Sequence, residues 1–145
     1  TQTFPDGTAA GSADVMWGDS RTVNAGVVDA LDLGALPSVG PIGAVTPTVI
    51  KGIAILNESD ADYLTVGGGS GGSTAPAADS WSDTDAGVTG SPFSADASVF
   101  QIAAGDIWVK SFRGGVAVVN ATGDILGVEG FVSNQTYSMI VWGDE

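Results

Sequence analysis

Carboxylates are the only ionisable groups that this sequence holds in quantity: 17 Asp and Glu stand against 4 Lys and Arg, with no His and no Cys. Their densest grouping is Asp79-Ser-Trp-Ser-Asp83-Thr-Asp85-Ala-Gly87. Calcium takes about six to eight oxygen ligands, and alternating Asp residues before a Gly supply several from one loop. A helix-flanked calcium loop also needs a bidentate Glu near its end, and none follows here. Asp60 and Asp62 form a second acidic pair. Asp is a routine turn residue, so both groups also read as solvated loop carboxylates, and no metal site is assigned. An acid protease needs two Asp-Thr/Ser-Gly elements whose carboxylates share a proton. Asp83-Thr84 runs into Asp85 and Asp19-Ser20 into Arg21, so neither fits. A glycosidase pair can come from distant positions, but only three Glu are present, one of them the final Glu145. Gly18-Asp19-Ser20 has the look of a serine-hydrolase block, yet no imidazole is available as its base. Gly67–Ser73 lacks the Lys-Ser/Thr of a phosphate loop and reads as a linker. Without imidazole or thiol there is no Ser-His-Asp or Cys-His pair and no thiolate zinc site. The expectation is a protein that performs no bond chemistry and carries no cofactor.

Two other residue classes invite a reading. Asn57, Asn120 and Asn134 each begin an Asn-X-Ser/Thr triplet. This is the acceptor pattern of secreted eukaryotic chains and equally a product of Asn in Ser/Thr-rich turns. Trp108 and Trp142 lie inside strand patterns and are expected in the core. Trp81 sits in a polar loop and Trp17 in an irregular leader. Large apolar rings on such segments commonly anchor partners, because such anchors dominate interface energy. Phe4, Trp17, Leu31, Leu33 and Trp81 are therefore the expected partner contacts.

Composition narrows the partner. The net charge is −13, and the only cations are Arg21, Lys51, Lys110 and Arg113. Such a chain is unsuited to phosphate backbones or to anionic membranes. No run of about eighteen apolar residues is present to span a bilayer. Hydrophobic residues make up 43% of the chain, enough for a core. Charged residues are only 14% and Gly contributes 22 of 145 positions. Average proteins are roughly 25% charged. Small residues and abundant turn formers imply a compact β protein.

The elements follow from periodicity. Residues 1–48, interrupted by Pro5, Pro37, Pro41 and Pro47, read as an extended Pro/Gly-rich N-terminal arm. Within it, either a short helix from Val27 to Leu36 or a strand from Thr22 to Val28 is compatible with the pattern. Residues 49–145 read as the folded domain. Val49–Leu56 and Tyr63–Val66 look like a hairpin, followed by a long acidic Gly/Ser-rich loop at 67–92. Strand patterns resume at Val99–Ala103, Ile107–Phe112, Val116–Asn120, Ile125–Val128 and Thr136–Trp142, with Arg113-Gly-Gly115 as a hairpin turn. The fold class is all-β, an antiparallel β-sandwich or jelly-roll-like barrel.

Several of these stretches carry a family likeness: Ile50-Lys-Gly-Ile-Ala-Ile-Leu-Asn57, Leu64-Thr-Val-Gly-Gly68, Phe100-Gln-Ile-Ala-Ala-Gly-Asp-Ile-Trp-Val109, Gly115-Val-Ala-Val118, Thr122-Gly-Asp124 and Thr136-Tyr-Ser-Met-Ile-Val-Trp-Gly143. The segment from Val49 to Gly143 resembles the small β-sandwich head decoration, or cement, proteins of tailed bacteriophages. The resemblance implies a virion protein on the outer capsid surface that binds the major capsid protein, often as a homotrimer around local threefold points. The acidic balance agrees, since negative charge suits an outer surface better than one facing packaged DNA. On this reading residues 1–48 lie across a neighbouring subunit, and their removal leaves a folded sandwich that no longer binds. The alternative is a carbohydrate- or calcium-binding β module of a phage tail or cell surface, built on Trp81, Asp83 and Asp85.

Overall fold

The computed structural model describes residues 13–39, 43–67, 81–82, 87–95, 98–119 and 123–145. β-branched and aromatic residues alternate with small or polar ones, which suits a pleated surface with one face packed. The described residues form eight strands: β1 (Val15–Val23), β2 (Val28–Asp32), β3 (Val49–Asn57), β4 (Leu64–Gly67), β5 (Val99–Ile102), β6 (Ile107–Ala117), β7 (Ile125–Gly130) and β8 (Gln135–Asp144). They make two four-stranded antiparallel sheets, β1-β8-β3-β6 and β2-β7-β4-β5. The chain crosses between sheets at every connection except β4 to β5, which is the jelly-roll form of the sandwich.

The core lies between the sheets. The first contributes Trp17, Ile53, Ile55, Tyr137, Met139 and Val141; the second contributes Leu31, Leu64, Val66, Ile102, Leu126 and Val128. All are buried, and they alternate along their strands with residues that point outward. Near the end of the first sheet, Lys51 pairs with Asp144 at 2.7 Å, and both side chains are less than a tenth exposed.

Several expectations are corrected. The segment read as an arm supplies β1 and β2, the edge strands of both sheets, so removing residues 1–48 would take away a strand from each. Its inward row hides the pattern: Trp17 and Val23 are apolar, but Asp19 and Arg21 between them are charged and matched to each other and to Asp29. Neither the helix over Val27–Leu36 nor the strand Thr22–Val28 forms as read; β2 takes Val28–Asp32. β3 and β4 are not a hairpin, since they belong to different sheets. Arg113-Gly-Gly115 is not a hairpin turn either. It is an irregularity within β6, where Ile50 pairs with Val116 and Gly52 with Ser111. Gly115 adopts a φ of +76° there, and a Cβ on it would stand 2.1 Å from Val49 Cγ1. Only glycine fits that position.

Candidate functional site

The expected partner contacts are taken up by the fold itself. Leu31 is 3% exposed and Leu33 is fully buried. Trp17 is buried, and its indole Nε1 donates to the Pro37 carbonyl at 2.8 Å. Trp81 is also fully buried, its Nε1 donating to the Ala117 carbonyl at 3.1 Å. Ser91 Oγ donates to the Trp81 carbonyl at 2.8 Å. These residues hold the sandwich together and are not free for a partner. Phe4 lies outside the described residues, as do Asp79, Asp83, Asp85 and Asn120. Asn57 is buried; its Nδ2 donates to the carbonyls of Asp62 and Ile102 and its Oδ1 accepts from the Ser59 amide, so it staples a turn. Asn134 is exposed and accepts from the Ala25 amide. Among the described residues, no group of three or more acidic side chains is placed to hold a metal ion.

The two long edges of the sandwich are sealed differently. At the β1/β2 edge, Arg21 donates to both oxygens of Asp29, at 2.6 and 3.0 Å, and to Asp19 at 3.2 Å. Tyr137 Oη donates to Asp29 at 2.8 Å. Burial alone would raise the Asp29 pKa, but hydrogen bonds from Arg21 and Tyr137, with the Arg21 charge, outweigh it and hold the carboxyl below its ordinary value. Burial, then the neighbouring Asp29 charge, pushes the Tyr137 phenol up. The hydrogen bond to Asp29 raises Arg21 in turn. These side chains bond chiefly to one another, so the cluster acts as a clamp between sheets. At the β5/β6 edge the seal is aromatic. Phe112, Trp81, Phe93, Phe100 and Trp108 form a continuous row with centroid spacings of 5.8, 6.4, 5.8 and 4.4 Å.

The outside of the first sheet remains available. Met16 and Gly18 on β1, Ser138, Ile140 and Trp142 on β8, Gly52, Ala54 and Leu56 on β3, and Ile107 and Val109 on β6 lie in register on the outward face. Met16, Ile107, Val109 and Ile140 are 61, 60, 56 and 46% exposed. The Trp142 ring lies across Gly52, where an added Cβ would come within 1.9 Å of it; a strand glycine often marks such a close approach. Trp142 is thus half-buried on this outer face and not in the inter-sheet core, whereas Trp108 packs against the core as expected. Ala54, Leu56, Ile107, Ser138 and Ile140 line a shallow hollow of about 140 Å³. None of these outward residues carries a formal charge; Glu58, which accepts a hydrogen bond from Ser138, marks the margin. Contiguous apolar surface of this kind on a folded chain makes this face the candidate docking surface.

This face escapes notice in the sequence although a signal is present. An antiparallel strand with one solvated face should alternate, yet Met139-Ile140-Val141-Trp142, Ile53-Ala-Ile-Leu56 and Ile107-Trp-Val109 are continuous apolar runs. Such runs belong to strands covered on both sides.

No family model matches this chain, and no curated protein does. A solved chain from Bacillus endospore appendages, described as forming a novel family of disulfide-linked pili, aligns over 99% of this chain and 100% of its own, with 13% identity and a TM-score of 0.39. A likeness that loose carries no argument for fold or role. No helix among the described residues is long and apolar enough to cross a membrane.

Proposed function

We propose that the chain is a non-enzymatic structural subunit of a virion, seated on the outer surface of a phage capsid, where it binds the major capsid protein and braces neighbouring subunits. The observation that carries this reading is the exposed apolar stretch on the outer face of the β1-β8-β3-β6 sheet, formed by Met16, Ile107, Val109 and Ile140, with Glu58 and the Lys51–Asp144 pair at its margins. Covering Met16, Ile107, Val109 and Ile140 would contribute about 1 kcal/mol each, since each is roughly half exposed. The resemblance to decoration proteins supports the choice of capsid. The net charge of −13 supports an outer position away from DNA. Three copies around a local threefold point, as the resemblance implies, would strengthen attachment by multivalency. The sugar or calcium module built on Trp81 has less support, because that ring is inside the fold.

The test uses Val109→Thr/Ile140→Thr, which keeps β-branched residues in the strands while making the face polar. Wild-type chain should sediment with expanded capsids of the parent phage, and the double variant should bind at least about tenfold more weakly with an unchanged circular dichroism spectrum. Equal binding by both would remove the sheet face from the mechanism. Failure of the wild type to bind would remove the capsid.

A further inference from the structure

The outer face of the second sheet has a different character. Glu129, Thr65 and Gln101 stand side by side across β7, β4 and β5, on the side turned away from the core. They floor a cleft of about 350 Å³, walled by Tyr63, Phe131 and Val99. Tyr63 and Phe131 are stacked, with ring centroids 4.6 Å apart and planes 26° from parallel. Phe131 is 56% exposed, whereas Glu129 and Thr65 are 6% and 5% exposed. A polar floor therefore lies beneath an open aromatic lip.

We propose that this cleft binds a neutral pyranose ring, one sugar unit of a glycan. A pyranose offers an apolar C–H face and a rim of hydroxyls. The C–H face matches Phe131, whose ring is held in place by Tyr63 stacked on it. The hydroxyl rim matches the floor: a carboxylate that only accepts, a threonine hydroxyl that accepts and donates, and a carboxamide with two donors and one acceptor. A carboxylate has about four acceptor positions, so Glu129 can serve a ligand beside its partners within the protein. Competing ligand classes match less of the floor. A wholly apolar ligand would desolvate Glu129 and Gln101 without replacing their hydrogen bonds. An anion would meet Glu129 in a chain of charge −13. A small cation would suit the carboxylate and the rings but not the Gln101 amide donors. The volume lies near the lower end of the roughly 300–1,000 Å³ range of ligand clefts, which suits a single ring.

The experiment is a nuclear magnetic resonance titration of the full chain with the methyl glycosides of glucose, galactose, mannose and N-acetylglucosamine at millimolar concentrations. At least one should shift amide signals confined to the neighbourhood of Tyr63, Thr65, Gln101, Glu129 and Phe131. Phe131→Ala and Gln101→Ala, both at exposed positions, should each weaken that glycoside about tenfold. That loss is equivalent to about 1.4 kcal/mol. Ile140→Thr on the opposite face should leave it unchanged. The proposal is overturned by any of three results: no shift with all four glycosides, shifts centred elsewhere, or full binding by Phe131→Ala. Tighter binding of tetramethylammonium than of every glycoside would assign the cleft to a cation and overturn it equally.

Discussion

The β1/β2 edge and the β5/β6 edge close the same sandwich by opposite means, one with an Arg21–Asp29–Tyr137 clamp and the other with a row of five aromatic rings. Both edges consume their conspicuous side chains in holding the sheets together, including the rings and charges that stand out in the sequence. A partner is left with the outer faces, whose residues are individually ordinary. The polar edge depends on ionisation; the aromatic edge does not. Substitutions at each edge separate the two dependences.

Trp81→Ala should have the largest effect, a loss of about 4 kcal/mol in denaturant unfolding, because it removes a fully buried indole packed between Phe112 and Phe93. It also removes the indole hydrogen bond to Ala117. Asp29→Asn should cost about 2 kcal/mol, since charge-assisted bonds weaken while the shape is kept. The bonds at stake are those from Arg21. Wild-type stability should also fall in acid. The Asp29 contribution is present above the ordinary carboxylate value of about 4. It is lost as pH falls through the lower value that the folded state imposes. Acid titrations of unfolding free energy should be flatter for Asp29→Asn and as steep as wild type for Trp81→Ala. An equally flat profile for Trp81→Ala would erase the distinction between the edges.

Tyr137→Phe should cost about 1 kcal/mol at neutral pH, the worth of its hydrogen bond to Asp29. Its phenol pKa is raised by folding. The linked stability is therefore complete below about pH 10 and lost as pH rises further, and this alkaline loss should shrink in Tyr137→Phe. The smallest stability change belongs to Val109→Thr/Ile140→Thr, within about 0.5 kcal/mol per site, as is usual for outward-facing positions. Both side chains are about half exposed. A thermal shift as large as that of Asp29→Asn would show that the outer face supports folding and not only binding.

The fold class is legible because β3, β5, β7 and β8 fall in apolar stretches rich in β-branched residues and bounded by turn formers. β1 and β2 are not, because Asp19, Arg21 and Asp29 occupy positions where a period-two reading expects apolar residues. Their mutual neutralisation is a tertiary fact. Sheet membership is equally hidden: nothing local distinguishes a β3–β4 hairpin from a crossing between layers. The candidate site fails for a related reason. Trp17 and Trp81 draw notice as large rings in polar company, since such rings can anchor a partner. A ring surrounded in sequence by Gly and Ser anchors a core as well, and both are buried. Ile140 and Val109 draw none, because Ile140 sits between Met139 and Val141 and Val109 ends the apolar run Ile107-Trp108-Val109, so both look like core.

Hydroxyl-radical footprinting of the chain free and bound to capsids would test the docking surface side chain by side chain. Binding should sharply reduce oxidation of Met16 and Trp142, while Tyr63 and Phe131 on the opposite face keep their reactivity. Unchanged oxidation of Met16 and Trp142 in the particle-bound chain would contradict the proposal that the β1-β8-β3-β6 face is the docking surface.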